Sequence, residues 1–237
     1  VYMSMGITAE NVAKKFDISR KEQQDFAISS HYKANLARES NMFDNEIVSI
    51  SNNDEKINKD GGIRPNTSHE ILDGLKLAFD ENGTVTAGTA SPLTDGASAV
   101  IVCEEEYAKK NNLNILARIK STAVVGCPPE LMGLGPINAS KKALKRANLS
   151  ISDIDIVELN EAFASQSLAC IKELNMDISK VNIHGGAIAL GHPLGATGAR
   201  ITGKVATLLQ NNNKKYGLAT QCIGLGQGIA TVLENIN

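Results

Sequence analysis

The stretch that decides the fold is DIVELNEAFASQSLACIKEL, residues 155–174. Residues 155–159 are short and apolar and read as a strand. Beyond them Phe163, Ser167, Cys170, Ile171 and Leu174 fall on one stripe at helical spacing, which predicts a helix over 161–174. A strand running almost directly into a helix is the unit of an α/β sheet. The alternation continues in both directions. Upstream, 116–125 reads as a long strand and 136–147 as a helix with Pro136 in its first turn, where no hydrogen bond is lost. Downstream, 181–183 reads as a strand and 195–209 as a helix. Strands over 215–221 and 227–233, joined by Gly224-Leu225-Gly226, close the chain as a hairpin.

The N-terminal part is written differently. Ser19-Arg20-Lys21-Glu22 has the form of a capping box, and Phe26, Ser30, Ala34 and Ala37 repeat behind it at helical spacing. Residues 46–51 suggest a short strand. Residues 52–70 are polar, carry Gly61-Gly62 and Pro65, and read as a long surface loop of the kind that serves function or cover. A short helix over 70–78 ends at Asp80-Glu81-Asn82-Gly83. Small residues crowd 84–99, followed by a buried strand over 97–103 and a helix over 104–110.

Composition removes several function classes. In 237 residues, 24 Lys and Arg against 26 Asp and Glu leave a formal charge of −2, with no basic excess for nucleic acid. No apolar run approaches the ~18 residues that span a bilayer, so no membrane partner is expected. Cys103, Cys127, Cys170 and Cys222 are too widely spaced for a disulfide framework or a zinc pattern, which fits a cytoplasmic chain. His31, His69, His184 and His192 show no metal-ligand spacing. The opening Val1-Tyr2-Met3-Ser4-Met5 is no signal peptide and has no Met at position 1, and it reads as the middle of something longer.

Three segments place reactive groups beside flexible backbone at the ends of strands, where open α/β sheets bind ligands. They are Asn160-Glu161-Ala162-Phe163, the glycine-rich run from Gly185 through His192 to Gly198, and Cys222 with Gly224, Gly226 and Gly228. Each has a plainer reading. Asn160 suits a helix N-cap. His192 suits a structural loop residue, and Cys222 a small buried hydrophobe. A phosphate cradle at 191–198 is disfavoured, because neither Gly-Lys-Ser/Thr nor a Gly-x-Gly-x-x-Gly run after a strand is present.

Taken together and in this order, Asn-Glu-Ala-Phe, Gly-His-Pro and Cys-Ile-Gly resemble the C-terminal part of the thiolase family. Upstream, Met5-Gly6-Ile7-Thr8-Ala9-Glu10-Asn11, Gly83-Thr84-Val85-Thr86-Ala87-Gly88, Asp95-Gly96-Ala97 and Gly133-Leu134-Gly135-Pro136 resemble thiolase segments too. The resemblance implies an α/β, thiolase-like fold: a mixed β-sheet covered by helices on both faces, with an α+loop covering domain. It implies residues 1–94 as the loop domain that holds coenzyme A, 95–112 as the end of the N-terminal core, and 113–237 as the C-terminal core domain. The family's Cys-Gly-Ser/Ala-Gly segment, which carries the nucleophilic cysteine, has no counterpart here. Ser4, Pro92 and Leu225 depart from the family pattern.

The implied activity is acyl transfer between coenzyme A thioesters, a Claisen condensation of two acetyl-CoA to acetoacetyl-CoA and the reverse thiolysis. Alternatives are a 3-ketoacyl-CoA thiolase for longer chains and a non-catalytic coenzyme A-binding fragment. By the same resemblance, His192 activates the nucleophile and Cys222 is the α-carbon base, its thiol drawn toward neutral by positive charge or dipoles. Asn160, through a water, and the His192 ring N–H hold the enolate oxygen. The Gly224 N–H serves a second oxyanion hole. Ala90 and Ser91 pass the pantetheine arm, Arg64 meets the nucleotide end, and Met5, Met132 and Phe163 line the acyl pocket. No cofactor or metal is implied beyond the coenzyme A thioesters, and the complete protein is expected to form a dimer or tetramer. With the nucleophile missing, the chain alone is expected to be inactive.

Overall fold

A computed structural model describes residues 3–53 and 55–236. Val1 and Tyr2 lie outside the described residues. Ser4 caps the first helix, α1 (Met5–Phe16), by accepting the N–H of Ile7 at 3.4 Å. The predicted capping box starts α2 (Arg20–Glu39): Ser19 Oγ accepts from Glu22 N–H at 3.2 Å, and Ser19 N–H donates to Glu22 Oε2 at 2.7 Å. The strand expected at 46–51 is shifted to β1 (Ile50–Asn52), because 40–46 is taken up by turns. β1 pairs antiparallel with β2 (Glu55–Ile57), so the expected loop at 52–70 is in part a small hairpin. Helix α3 (His69–Asp73) is capped by Ser68 and stops earlier than the sequence suggests.

The chain from 97 to 103 corrects its reading as a buried strand. It forms no regular element, and Ile101 is 90% exposed. A strand needs a ladder partner for its backbone groups, and none of the described strands pairs with this run. Helix α4 (Glu105–Lys110) follows as expected.

The second part is the predicted alternation. Its elements are β3 (Arg118–Gly126), α5 (Gly135–Ala147), β4 (Ile156–Leu159), α6 (Ala164–Leu174), α7 (Ala187–Leu190), α8 (Thr197–Asn211), β5 (Tyr216–Ile223) and β6 (Gln227–Glu234). The sheet order is β3-β6-β5-β4. The β3–β6 and β5–β6 pairs are antiparallel, and β4–β5 is parallel. The strand expected at 181–183 reduces to one bridge, Val157 to Val181, because the glycine-rich turn begins at once.

Period-two alternation divides the sheet's side chains between two cores. Val157, Leu159, Leu218 and Val232 face α5 and α6, with Phe26 and Ala27 of α2 joining them. Ile156, Ala219 and Leu233 face Ile201, Val205, Leu208 and Leu209 of α8. Each fully buried Leu or Ile contributes roughly 1.5–3 kcal/mol, so the sheet is held from both sides, as the mixed sheet with helices on both faces requires. The N-terminal helices pack against this body. Val12 and Ile18 meet Ala169 of α6, and α2 lies against α6 and α7. Glu10 on α1 accepts from Thr84 and Val85 N–H at 2.8–3.0 Å, fastening the small-residue segment that leads to Ala90 and Ser91. Among the described residues no helix is long and apolar enough to cross a membrane.

Candidate active site

The parallel strands β4 and β5 end side by side, and the chemistry-bearing residues follow from that register. Asn160 is the first residue after β4. Its N–H extends the ladder to Thr220 O at 3.0 Å, and its side chain is 1% exposed. Asn160 Nδ2 lies 3.4 Å from His192 Nε2, while Asn160 Oδ1 is buried without a partner among the described residues. The N-cap reading is not what this geometry shows. Helix α6 starts only at Ala164, with Phe163 in the cap position and no side-chain cap. The helix cannot begin sooner, because Phe163 is extended, bridges Ala90, and lets Ala162 O accept from Ser91 N–H at 3.0 Å.

His192 sits in the connection between α7 and α8. Gly191 before it has φ +89°, and a Cβ there would run into the Thr94 side chain. The close approach lets Thr94 Oγ1 accept the His192 backbone N–H at 3.2 Å. On the other side, His192 Nδ1 is 2.6 Å from Thr197 Oγ1, and Thr197 opens α8 fully buried. Burial, and then the Arg200 guanidinium, hold the imidazole below its ordinary pKa, so the ring is neutral near pH 7.

Cys222 lies near the end of β5 and is 7% exposed. It joins an apolar cluster with Ala9, Val85, Ala90, Met132, Ala162 and Phe163, and Met5 packs on its edge. The residues read as an acyl pocket are therefore brought together around the Cys222 sulfur. The expectation that charge or dipoles draw this thiol toward neutral is corrected. Burial pushes it up to about 12, with a small further push from Cys127. No hydrogen bond joins Cys222 to His192 among the described residues. Cys103 is exposed, Cys127 is half-buried, and Cys170 is buried in α6 with its Sγ 3.4 Å from Gly133 O.

The remaining candidates divide. Ser91 Oγ donates to Ala162 O at 3.1 Å, beside the Asn160 segment. Gly224 is exposed in the β5–β6 turn, two residues past Cys222, with open space where a Cβ would stand. Arg64 makes no hydrogen bond to Asn160, His192 or Cys222 among the described residues. Its side chain is exposed, and its N–H donates to His31 Nδ1 on α2 at 3.1 Å.

Two sets of functional residues escaped the sequence reading. Thr94 and Thr197 give no signal of their own, being threonines among other small residues. Glu161 lay inside a quoted motif without a role. It is 1% exposed and accepts from Ser30 Oγ at 2.6 Å, Asn182 Nδ2 at 2.8 Å and Ile188 N–H at 3.1 Å. Gly186 allows this, since a Cβ there would collide with the carboxylate. Burial raises the Glu161 pKa against the pull of these bonds. The carboxylate ties α2, the Asn160 segment and the loop leading to His192 into one unit.

Comparison with known proteins is consistent along the chain. The family model described as "Thiolase, C-terminal domain" matches residues 113–235, and "Thiolase, N-terminal domain" matches residues 1–106. The chain is 54% identical over 239 residues to a 3-ketoacyl-CoA thiolase of Shewanella loihica, covering 97% of this chain and 62% of the relative. It is 52% identical to the protein of that name in Aliivibrio fischeri, again over 97% and 62%. The fold matches human mitochondrial 3-ketoacyl-CoA thiolase in complex with CoA at TM-score 0.96 and 45% identity, covering 98% of this chain and 59% of that one. It matches the Bacillus anthracis acetyl-CoA acetyltransferase at 0.94 and 43%, over 98% and 60%. The chain thus spans about three-fifths of the length of the curated relatives it matches.

Proposed function

The chain belongs to the thiolase family, and on that premise we propose that it carries the acid–base and oxyanion part of an active site for acyl transfer between coenzyme A thioesters. The observation that carries this reading is the buried contact between Asn160 Nδ2 and His192 Nε2 at the end of β4, beside the apolar cluster around Cys222. In the direction of thiolysis, an enzyme thiolate attacks the 3-keto carbon of a 3-ketoacyl-CoA. The C2–C3 bond breaks, acetyl-CoA leaves as its enolate, and coenzyme A then takes the acyl group from the enzyme sulfur. His192 Nε2 accepts the thiol proton of the nucleophile. Asn160, through a water, holds the enolate oxygen, and the Gly224 N–H serves the tetrahedral intermediate. One such donor is worth ~2.7–4 kcal/mol. Cys222 returns a proton to the enolate carbon. A buried thiol held near 12 suits that direction, since it is protonated and ready to donate.

The nucleophilic thiolate is supplied from outside residues 1–237. Cys103, Cys127 and Cys170 form no hydrogen bond with His192 among the described residues, and one Cys222 sulfur cannot hold the acyl group and move the proton in the same step. Ala90 and Ser91 border the pantetheine path, and Arg64 meets the nucleotide end of coenzyme A. The assembled protein is read as a homo-oligomer.

The 3-ketoacyl-CoA reading is preferred because relatives of that name reach 54% identity. Acetyl-CoA condensation is the second reading, favoured by the tight packing of Met132 and Phe163, 3% and 8% exposed, which leaves room for a short acyl chain. The test is co-expression of this chain with the N-terminal segment of the Shewanella loihica relative, assayed with coenzyme A and 3-ketoacyl-CoAs of increasing length. The pair turns over and the chain alone does not; the length profile selects between the two substrates. Turnover by the chain alone, with an acyl group on one of its own cysteines by mass spectrometry, would overturn the assignment.

A further inference from the structure

We infer that Thr197 is a positioning residue whose hydroxyl fixes the proton of neutral His192 on Nδ1, leaving Nε2 as the single basic atom that faces Asn160. The argument is a count of protons. Thr197 Oγ1 lies 2.6 Å from His192 Nδ1 and 3.0 Å from Pro193 O. A hydroxyl has one proton to give, and a carbonyl oxygen can only accept. If the hydroxyl donated to Nδ1, two oxygens would face each other at 3.0 Å with no proton between them, in a site where Thr197 is fully buried. Pro193 O also takes the Ala196 and Thr197 N–H groups at 2.9 and 3.0 Å, and the arrangement that leaves no bare oxygen–oxygen contact is Nδ1–H to Oγ1 and Oγ1–H to Pro193 O.

The other side of the ring is compatible with this proton placement. Asn160 presents its amide nitrogen, a donor, to Nε2. That donor needs a lone pair on Nε2, which exists only when the ring proton sits on Nδ1. Thr94 fixes the backbone of the same residue by accepting the His192 N–H. Both the position of the ring and the identity of its basic nitrogen are therefore set by threonines that touch His192 itself.

The consequence for chemistry deepens the functional reading above and rests on it. Nε2 first serves as acceptor, and only after taking a proton does it become a donor to an oxyanion. One ring then fills both roles in a fixed order. The tautomer itself stands whether or not the thiolase reading does.

The experiment is two-bond ¹H–¹⁵N NMR of the purified chain labelled with ¹⁵N-histidine, with His192→Gln to assign its signals among those of the four histidines. The wild type shows His192 with Nδ1 protonated and Nε2 bare. Thr197→Val keeps the side-chain shape and the Thr197 N–H bond to Pro193 O, but removes the acceptor, and moves the proton to Nε2. Thr197→Ser restores the wild-type pattern. A wild-type ring protonated on Nε2, or a folded Thr197→Val chain whose tautomer is unchanged, overturns the inference. The wild-type and Thr197→Ser spectra decide it even if Thr197→Val does not fold. Failure of thiolysis in the co-expressed pair would leave this spectrum untouched, so the two readings fail separately.

Discussion

Glu161 and Ser30 stand 131 positions apart and share a hydrogen bond of 2.6 Å. Ser30 Oγ in turn accepts the N–H of Gly186 at 3.1 Å. A proton-ordered chain therefore runs from the loop before His192, through a serine of α2, to a carboxylate one residue past Asn160. The chain ends on Glu161 Oε2, which accepts the Ser30 hydroxyl.

Glu161→Gln puts an amide NH₂ where the carboxylate accepts, so one of its donors loses its partner. An orphaned buried donor costs ~1–3 kcal/mol. The urea midpoint of the chain falls accordingly with an unchanged slope, and Glu161→Ala, which orphans Ser30, Asn182 and Ile188 together, falls further. Equal midpoints for wild type and Glu161→Gln would show that the carboxylate does not clamp these elements.

Asn160→Ala separates site from scaffold. In the co-expressed pair it slows carbon–carbon cleavage ~10²–10³-fold, the cost of one oxyanion donor, while the chain's melting temperature stays within a few degrees. A large loss of melting temperature with little loss of rate would return Asn160 to a structural role.

Cys222 makes almost no thiolate near neutral pH, because burial pushes it up to about 12. Iodoacetamide at pH 7.5, followed by peptide mass mapping, labels exposed Cys103 and spares Cys222. Labelling of Cys222 as fast as Cys103 would reverse the sign of its shift.

Glu158 is 2% exposed, and burial pushes it up to about 8 against the pull of Arg200 and Lys204. The folded chain thus keeps a proton that the unfolded chain releases above the ordinary glutamate value of 4.5. The Glu158 contribution is fully present below that value and is lost as pH rises toward 8. Glu158→Gln mimics the protonated form, so it matches wild type near pH 5 and is the more stable of the two near pH 8, read as urea midpoints. A difference that does not change with pH would refute the shift.

Leu225 has φ 67° at the tip of the β5–β6 turn and is 64% exposed. The left-handed conformation costs an ordinary side chain roughly 1–2 kcal/mol, and Asn tolerates it better. Leu225→Asn raises the melting temperature by about 1–4 °C for a chain of this size. An unchanged or lower value in calorimetry would show that the turn is relaxed as it stands.

Local signals were legible where the chain satisfies itself locally. The Ser19–Glu22 box is such a signal, and so are the hairpin at Gly224-Leu225-Gly226 and the α6 stripe through Cys170 and Leu174. Signals failed where the outcome depends on a distant partner. The apolar run 97–103 looks like a strand, yet strand formation needs a neighbour that composition cannot supply. Residues 181–183 look the same, and are cut short by the glycine turn that the site requires. In the site itself, Asn160 and His192 were visible as unusual residues in unusual company. Thr94 and Thr197 were not, because a threonine that orients an imidazole is spelled like one that merely fills space.

The parallel pairing of β4 with β5 also governs the order in which this site is built. β5 and β6 meet through a turn of a few residues, whereas Leu159 reaches Thr220 only after about 60 intervening residues have been gathered. Closing a loop of that length costs roughly 2 kcal/mol more chain entropy than closing the hairpin. The hairpin therefore forms first and offers the free edge of β5 as a template. The chain between carries Glu161, the α6 and α8 helices and His192. Asn160 and His192 meet across that larger closure, so a chain that holds only its hairpin is without its chemistry.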